Sequence, residues 1–107
     1  MNIFILPNQL PEEEFVETLA AGEGILIERI ISHGHTTLPD VWLDQARDEW
    51  VMVLQGEAKL TWGDGRELEM KSGDWVLIKA GERHRVSYSS TQPPCIWLAV
   101  HGLLMQR

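Results

Sequence analysis

Two stretches of the sequence place a side chain that can bind a metal ion or a proton at one end of an apolar run. Residues 49–56 read EWVMVLQG and begin with Glu49, and residues 73–84 read GDWVLIKAGERH and end with His84. Carboxylate and imidazole groups serve as ligands for divalent cations and as general acids or bases. The two stretches therefore indicate a polar site whose chemistry is either metal binding or proton transfer.

Other histidines and the cysteine could contribute to such a site. His33 and His35 form the only His-x-His pair, and residues two apart on a strand face the same side. Thirteen residues separate His35 from Glu49, so we interpret this pair as a solvated strand end rather than as ligands. We interpret His101 in the same way, with a second imidazole for the site as the alternative. Cys95 has no patterned histidine partner, which favours structural burial over nucleophilic catalysis.

The elements that must position these groups begin with a predicted strand and helix. Residues 2–6 form a short apolar run of β type, which ends at Pro7. A helix is predicted over residues 11–21, because Pro11 suits its first position and three glutamates follow at the positive end of the helix dipole. Gly22 suits the C-terminal stop.

The chain after Gly24 reads as strands and turns. Asp64-Gly65 between two alternating runs is a strong hairpin signal. Many short strands with turn signals between them indicate a sandwich or a closed barrel. We expect one domain over residues 1–107, with the strand and helix in 1–22 and the barrel in 24–101. Strands are predicted over residues 25–31, 50–54, 75–78, 83–88 and 95–101, and a hairpin is predicted over residues 58–70.

Charge and composition exclude several classes of function. The formal net charge of −7 argues against nucleic acid and anionic membranes as partners, because both attract Lys and Arg. No apolar run approaches the roughly 20 residues that span a bilayer, and residues 1–6 are too short for a signal peptide. A single cysteine allows no intrachain disulfide, so we expect a cytoplasmic location.

The two stretches resemble the paired motifs of the cupin superfamily, whose members are small β-barrels with a ligand pocket. Glu49 and the glycine that closes its run have the spacing that ends the first motif, and Gly73, Gly81 and His84 have the spacing of the second. The resemblance covers about residues 34–88. It implies an all-β cupin jelly roll, a β-barrel or sandwich, here with one short N-terminal helix.

The resemblance also implies a set of metal ligands, because cupins hold a divalent metal with two histidines of the first motif, its glutamate and the histidine of the second. In this chain only Glu49 and His84 match. The two histidine positions fall on Trp42 and Asp44 or on Leu43 and Gln45, depending on the spacing. We therefore expect a site for Mn, Fe, Ni or Zn, or else a metal-free pocket with a hydrogen-bonded polar pair. The candidate ligands are Glu49, His84, Asp44, Gln45 and His101.

The function implied by the resemblance is that of a small cupin acting on a small polar or sugar-like molecule, as a metal-dependent oxygenase or isomerase. One alternative is a metal-free cupin that binds a small ligand without catalysis, and another is a metal-free epimerase or isomerase with His84 as base. Trp50 has the opposite strand parity to Glu49, which predicts an aromatic residue on the outer face. We expect a homodimer through that face or through the strand at 2–6.

Overall fold

Within residues 1–105, which the computed structural model describes, eight antiparallel strands form two sheets that face each other. One sheet has five strands in the order β1-β2-β8-β3-β6, and the other has three in the order β5-β4-β7. The all-β prediction is confirmed. The strands are β1 (Phe15–Gly22), β2 (Ile25–Ser32), β3 (Asp48–Gln55), β4 (Glu57–Trp62), β5 (Glu67–Lys71), β6 (Trp75–Ile78), β7 (His84–Ser89) and β8 (Cys95–Gly102).

The predicted helix over residues 11–21 is wrong, because most of that segment is strand β1. Phe15 pairs with Ile31 and Gly22 with Ile25, across a turn in which Gly24 has a φ of +72°. An isolated helix of about this length is marginal in water, whereas pairing with β2 gives the backbone groups partners on both sides of a register shift between Thr18 and Ala20. Tertiary pairing thus outweighed local helix signals. The described part of the chain, residues 1–105, contains no helix with the length and hydropathy of a membrane span.

The predicted strand over residues 2–6 is also absent, since the first strand of the described chain begins at Phe15. The N-terminal segment is held by a side chain instead of a ladder. Arg29 donates from Nη1 to the carbonyls of Ile3 (3.0 Å) and Ile5 (2.6 Å), and it also pairs with Glu17. This network secures the N-terminal segment to β2 and β1.

The core lies between the inner faces of the two sheets, where period-2 alternation places the large apolar side chains. Val51 and Val53 on β3 face inward as predicted. Trp50 faces the other way and contacts Trp75, with ring centroids 5.8 Å apart. The predicted hairpin is confirmed as β4–β5. The buried core consists of Val51, Val53, Ala58, Leu60, Trp62, Met70, Ile78, Cys95, Trp97 and Ala99.

The start of β3 is attached to the turn that precedes β7 by a carboxylate that sequence analysis did not single out. Asp48 is buried and accepts hydrogen bonds from the backbone N–H groups of Ala80 (2.8 Å) and Leu104 (2.9 Å), with Lys79 Nζ 3.3 Å away. These backbone hydrogen bonds hold the pKa of Asp48 below its usual range. The contacts bring the turn of the second motif alongside Glu49.

Candidate functional site

A cavity of about 210 Å³ lies between the two sheets and contains the polar groups that sequence analysis singled out. Its walls are apolar and are formed mainly by Leu43, Val51, Leu60, Val86 and Trp97. The combination of apolar walls with a few convergent polar groups is typical of small-molecule sites. The polar lining residues are Glu14, Glu28, Gln45, Glu49, His84 and His101.

The five-stranded sheet brings three of these groups side by side across neighbouring strands. Glu49 on β3 lies directly opposite His101 on β8. Glu28 on β2 pairs with Ala99, two residues from His101 on the same strand face, so it is the diagonal neighbour of the imidazole. The sheet alone therefore builds a carboxylate–imidazole–carboxylate row.

His84 reaches this row from the opposite sheet, at the start of β7. Its backbone exchanges two hydrogen bonds with Leu43, of 3.1 and 2.7 Å, which attaches β7 to the segment before β3. In the same region Gly81 N–H donates to the carbonyl of Gln45 at 3.0 Å. The two motif turns are thus joined at one end of the cavity.

The distances define a cluster of four titratable side chains. His101 Nε2 lies 2.9 Å from Glu28 Oε1 and 3.5 Å from Glu49 Oε2. His84 Nε2 lies 3.8 Å from Glu49 Oε1. Because a carboxylate accepts, the short contact requires that His101 Nε2 carries a hydrogen and donates it to Glu28.

The hydrogen bonding of His84 fixes which of its ring nitrogens faces the cluster with a lone pair. Nδ1 lies 2.9 Å from the carbonyl of Glu82, and a carbonyl only accepts, so Nδ1 donates. In the neutral ring Nε2 is then an acceptor, and it faces the acceptor Oε1 of Glu49. Two facing acceptors are stabilised by a proton or a cation between them.

Burial raises the pKa of the Glu49 carboxyl above its usual value of 4.5, and the neighbouring Glu28 charge adds to the rise. His101 and His84 oppose the rise, but burial is the larger effect. A carboxyl that keeps its proton to a higher pH than usual can serve as a proton donor or acceptor in a cleft. The cluster therefore has the components of acid–base chemistry.

The structure brings together most of the residues predicted for the site. Glu49, His84 and His101 converge, and Gln45 lines the cavity. The interpretation of His101 as a solvated strand end was wrong, because its side chain is only 12% exposed. Asp44 is exposed and lies outside the cavity lining, so the structure does not bring it to the cluster.

The three remaining imidazole and thiol candidates lie away from the cluster. His33 and His35 pack against each other and donate from Nε2 to the backbone carbonyls of Pro11 and Glu12. Cys95 is fully buried, and burial raises the pKa of its thiol to about 12. These findings agree with structural roles for all three residues.

Sequence analysis missed Glu28 and Glu14. Glu28 is a charged residue within an isoleucine-rich strand, and its inward parity was the available signal. Glu14 was taken as part of a helix N-terminus, so its approach to the cavity could not be anticipated. Both carboxylates join the site only through the pairing of β1, β2 and β8.

The donor set fits a divalent cation by its chemistry. Two imidazoles and one or two carboxylates suit Mn²⁺, Fe²⁺, Ni²⁺ or Zn²⁺. The Nδ1 hydrogen bond of His84 to a backbone carbonyl is the outer contact that metal-bound histidines usually have. The side chains are not pre-arranged, since residues 1–105 contain no group of three or more His, Cys, Asp or Glu placed to hold a metal ion. His101 would have to release the Nε2 hydrogen that it gives to Glu28.

The chain matches the family model described as Cupin domain over residues 39–101. Among solved structures, it is similar to a candidate mannose-6-phosphate isomerase from Ralstonia eutropha JMP134. The two chains share 38% sequence identity with a TM-score of 0.90, and the match covers 97% of each. The comparison with curated proteins gave no match.

The likeness in fold extends to more distant structures. A cupin superfamily protein from Desulfitobacterium hafniense DCB-2 has 16% identity and a TM-score of 0.73, over 92% of this chain and 84% of that one. A conserved protein with a double-stranded β-helix domain from Klebsiella pneumoniae has 19% identity and a TM-score of 0.73, over 95% and 87% of the two chains. At these identities the likeness concerns the fold alone.

Proposed function

Because the chain belongs to the cupin family, we propose that its cavity binds a small polar molecule beside a divalent cation held by Glu49, His84 and His101. The observation that carries the proposal is the lone pair of His84 Nε2 facing the Glu49 carboxylate, with His101 3.5 Å from that carboxylate. Such an arrangement of acceptors favours a positive charge among them. The proposed reaction class is that of an isomerase or oxygenase on a sugar-like substrate.

The residues around the cluster each have a part in the proposed function. The carbonyl of Glu82 orients the imidazole of His84, and Glu28 holds the hydrogen of His101 Nε2 until a ligand displaces it. The side chains of the cluster are largely shielded from solvent, which strengthens the electrostatic interactions among them. A bound divalent cation would act as a Lewis acid or as an oxygen-activating centre.

Similarity at 38% identity to a candidate mannose-6-phosphate isomerase favours the isomerase class over the oxygenase class for this chain. This similarity does not indicate the substrate of this chain, because a phosphate would be recognised by side chains other than those of the reacting centre. The proposal therefore concerns the reaction class and the cluster.

A metal-free function is the second candidate, and the Glu28–His101 hydrogen bond favours it. That bond satisfies His101 Nε2 at 2.9 Å without any cation. The raised pKa of Glu49 would then allow this carboxyl to exchange a proton with a bound ligand or with His84. In this form the cavity either binds a ligand without catalysis or isomerises it by acid–base steps.

Metal uptake tests the first candidate against the second. Protein purified without chelators or an affinity tag is expected to contain a divalent metal. Chelator-treated protein is expected to take up about one Mn²⁺, Fe²⁺, Ni²⁺ or Zn²⁺ per chain. Because burial raises the pKa of Glu49, calorimetric titration in two buffers of different ionisation enthalpy should detect a proton displaced from this carboxyl, and affinity should fall as pH is lowered. Absence of uptake for all four metals would make the metal-free cavity the better account.

We further propose a homodimer formed through the outer face of β3 and β6. The cytoplasmic location expected from the sequence also remains a proposal. Trp75 is 50% exposed and contacts Trp50, with Met52 and Leu77 beside them in the strand register. An exposed apolar patch of this kind is typical of subunit contacts.

Light scattering at micromolar concentration is expected to give the mass of a dimer, and Trp75→Glu should give that of a monomer. Tyr88→Glu is the matched control, because Tyr88 is 48% exposed on the other sheet. A monomeric wild-type protein would rule out the dimer, and loss of the dimer only in the control variant would rule out this face.

A further inference from the structure

The carboxylate of Glu14 is oriented toward the cavity by a chain of buried groups outside both motifs. Glu14 Oε2 accepts a hydrogen bond from Ser32 Oγ, and Ser32 is fully buried. Ser32 Oγ in turn accepts from Trp97 Nε1 at 3.2 Å. Trp97 is 3% exposed and forms part of the cavity wall. The buried wall thus orients a carboxylate whose residue is itself exposed at the cavity edge.

This carboxylate and the titratable cluster lie toward different ends of the cavity. Ser32 and Glu28 are four residues apart on β2, which corresponds to about 13 Å along a strand. Glu14 approaches the Ser32 end, whereas Glu28, Glu49 and His101 meet at the other. A ligand in the cavity therefore lies between two groups of acidic side chains.

Apart from the imidazoles of His84 and His101, the ionisable groups on the cavity wall are carboxylates. Glu14, Glu28 and Glu49 line it, and none of the Lys or Arg residues in the described part of the chain, residues 1–105, does so. Anion sites depend on Arg, Lys or convergent N–H donors. The volume of about 210 Å³ is below the roughly 300–1,000 Å³ of sites for drug-sized ligands, so the ligand is small.

We propose that Glu14 is a specificity-determining residue that accepts a hydrogen bond from an amine or hydroxyl group of the ligand. The cavity then selects cationic and neutral polar molecules against anionic ones. This inference rests on the proposed role of the cavity as the ligand site. Ser32 Oγ donates to Oε2 of Glu14, and Glu14 lines the cavity, so its carboxylate can also accept a hydrogen bond from a ligand. A hydrogen bond to a charged group is stronger than one to a neutral group, so amines bind better than polyols. Phosphorylated or carboxylated molecules meet repulsion at both ends of the cavity.

The test uses metal-free, chelator-treated protein, so that no bound cation attracts an anion. Binding is measured by calorimetry for a panel of small amines, polyols and their phosphorylated counterparts. The matched ring in the panel is D-mannosamine, D-mannose and D-mannose 6-phosphate. The expected order of affinity is amine, then neutral molecule, then phosphate, with the phosphate at least about tenfold weaker than the neutral molecule.

The variant Glu14→Gln keeps the shape of the side chain and its hydrogen bond from Ser32 but removes the charge. It is expected to weaken binding of the best amine by about 10- to 100-fold and to leave binding of the neutral counterpart within about threefold. Glu13→Gln is the matched control, since Glu13 is the exposed neighbour, lies outside the cavity lining and carries the same charge. This control should bind all three probes as the wild type does.

Several results would overturn the inference: phosphates binding as tightly as the neutral molecules, no amine or polyol binding at millimolar concentration, or equal effects of the two substitutions. The inference and the proposed metal site fail separately. Metal uptake without a preference for amines over phosphates would contradict the role of Glu14 but not the metal site. Amine binding that depends on Glu14, without any metal uptake, would contradict the metal site but not the role of Glu14.

Discussion

Replacing His84 with alanine is expected to abolish divalent-metal binding by the chelator-treated protein. The hydrogen bond from His84 Nδ1 to the carbonyl of Glu82 leaves the lone pair on Nε2, which faces the cluster. His84 is also the one cluster residue from the three-stranded sheet. Loss of a group that only orients a ligand usually costs 10- to 100-fold in metal affinity, so loss of the ligand itself should exceed about 100-fold. Calorimetric titration with Mn²⁺ and Ni²⁺ measures the change.

The control for this experiment is the double substitution of His33 and His35 with alanine. Both side chains donate to carbonyls of residues 11 and 12, away from the cavity, so metal affinity should change by less than about threefold. Metal binding that survives the loss of His84 but disappears with His33 and His35 would overturn our assignment of the site.

The substitution Glu49→Gln is expected to stabilise the metal-free protein at neutral pH. Burial raises the pKa of this carboxyl in the folded state above its ordinary 4.5, so the ionised form is disfavoured by folding. A glutamine carries no charge, and its amide can donate to the lone pair of His84 Nε2. The expected gain is about 1 kcal/mol, which corresponds to roughly 4–8 °C in Tm for a chain of this size.

The pH dependence gives the sign of this effect. A raised pKa means that the wild-type contribution is fully present below about 4.5 and is lost as pH rises through the folded-state value. The stability difference between Glu49→Gln and the wild type should therefore be small near pH 4.5 and grow toward pH 7. Urea unfolding at several pH values measures it.

The adjacent Asp48 provides a matched comparison with the opposite sign. Its pKa is lowered by backbone hydrogen bonds from Leu104 and Ala80, so its contribution is present above the ordinary value of 3.8 and is lost as pH falls through the lowered one. Asp48→Asn should therefore destabilise the protein at neutral pH, and the difference should shrink in acid. If Glu49→Gln also destabilised the protein at neutral pH, burial would not be the dominant influence on that carboxyl.

Much of the site could be predicted because strand alternation is a local property. The period of two places Glu49, Val51 and Val53 on one face, and the spacing from Gly73 to His84 places the imidazole at the start of the next inward strand. The Asp64-Gly65 hairpin was predicted for the same reason, since a two-residue turn signal and its flanking strands are contiguous in sequence. Neither feature needs information about distant parts of the chain.

Residues 11–22 are a segment in which local sequence signals predicted the wrong secondary structure. Proline, three glutamates and a terminal glycine are helix signals, yet Phe15–Gly22 is a strand because it pairs with β2 along most of its length. That mistake concealed Glu14, whose approach to Ser32 depends on the β1–β2 pairing.

The sequence by itself determined the all-β class and the inward positions of Glu49 and His84, since both follow from patterns within one strand and its turn. Only the tertiary structure decided which groups surround that pair. His101 and Glu28 reach Glu49 through the order β2-β8-β3, which joins positions 28, 49 and 101 by long-range strand pairing. Strand order depends on contacts between segments far apart in the chain, and no local pattern specifies it.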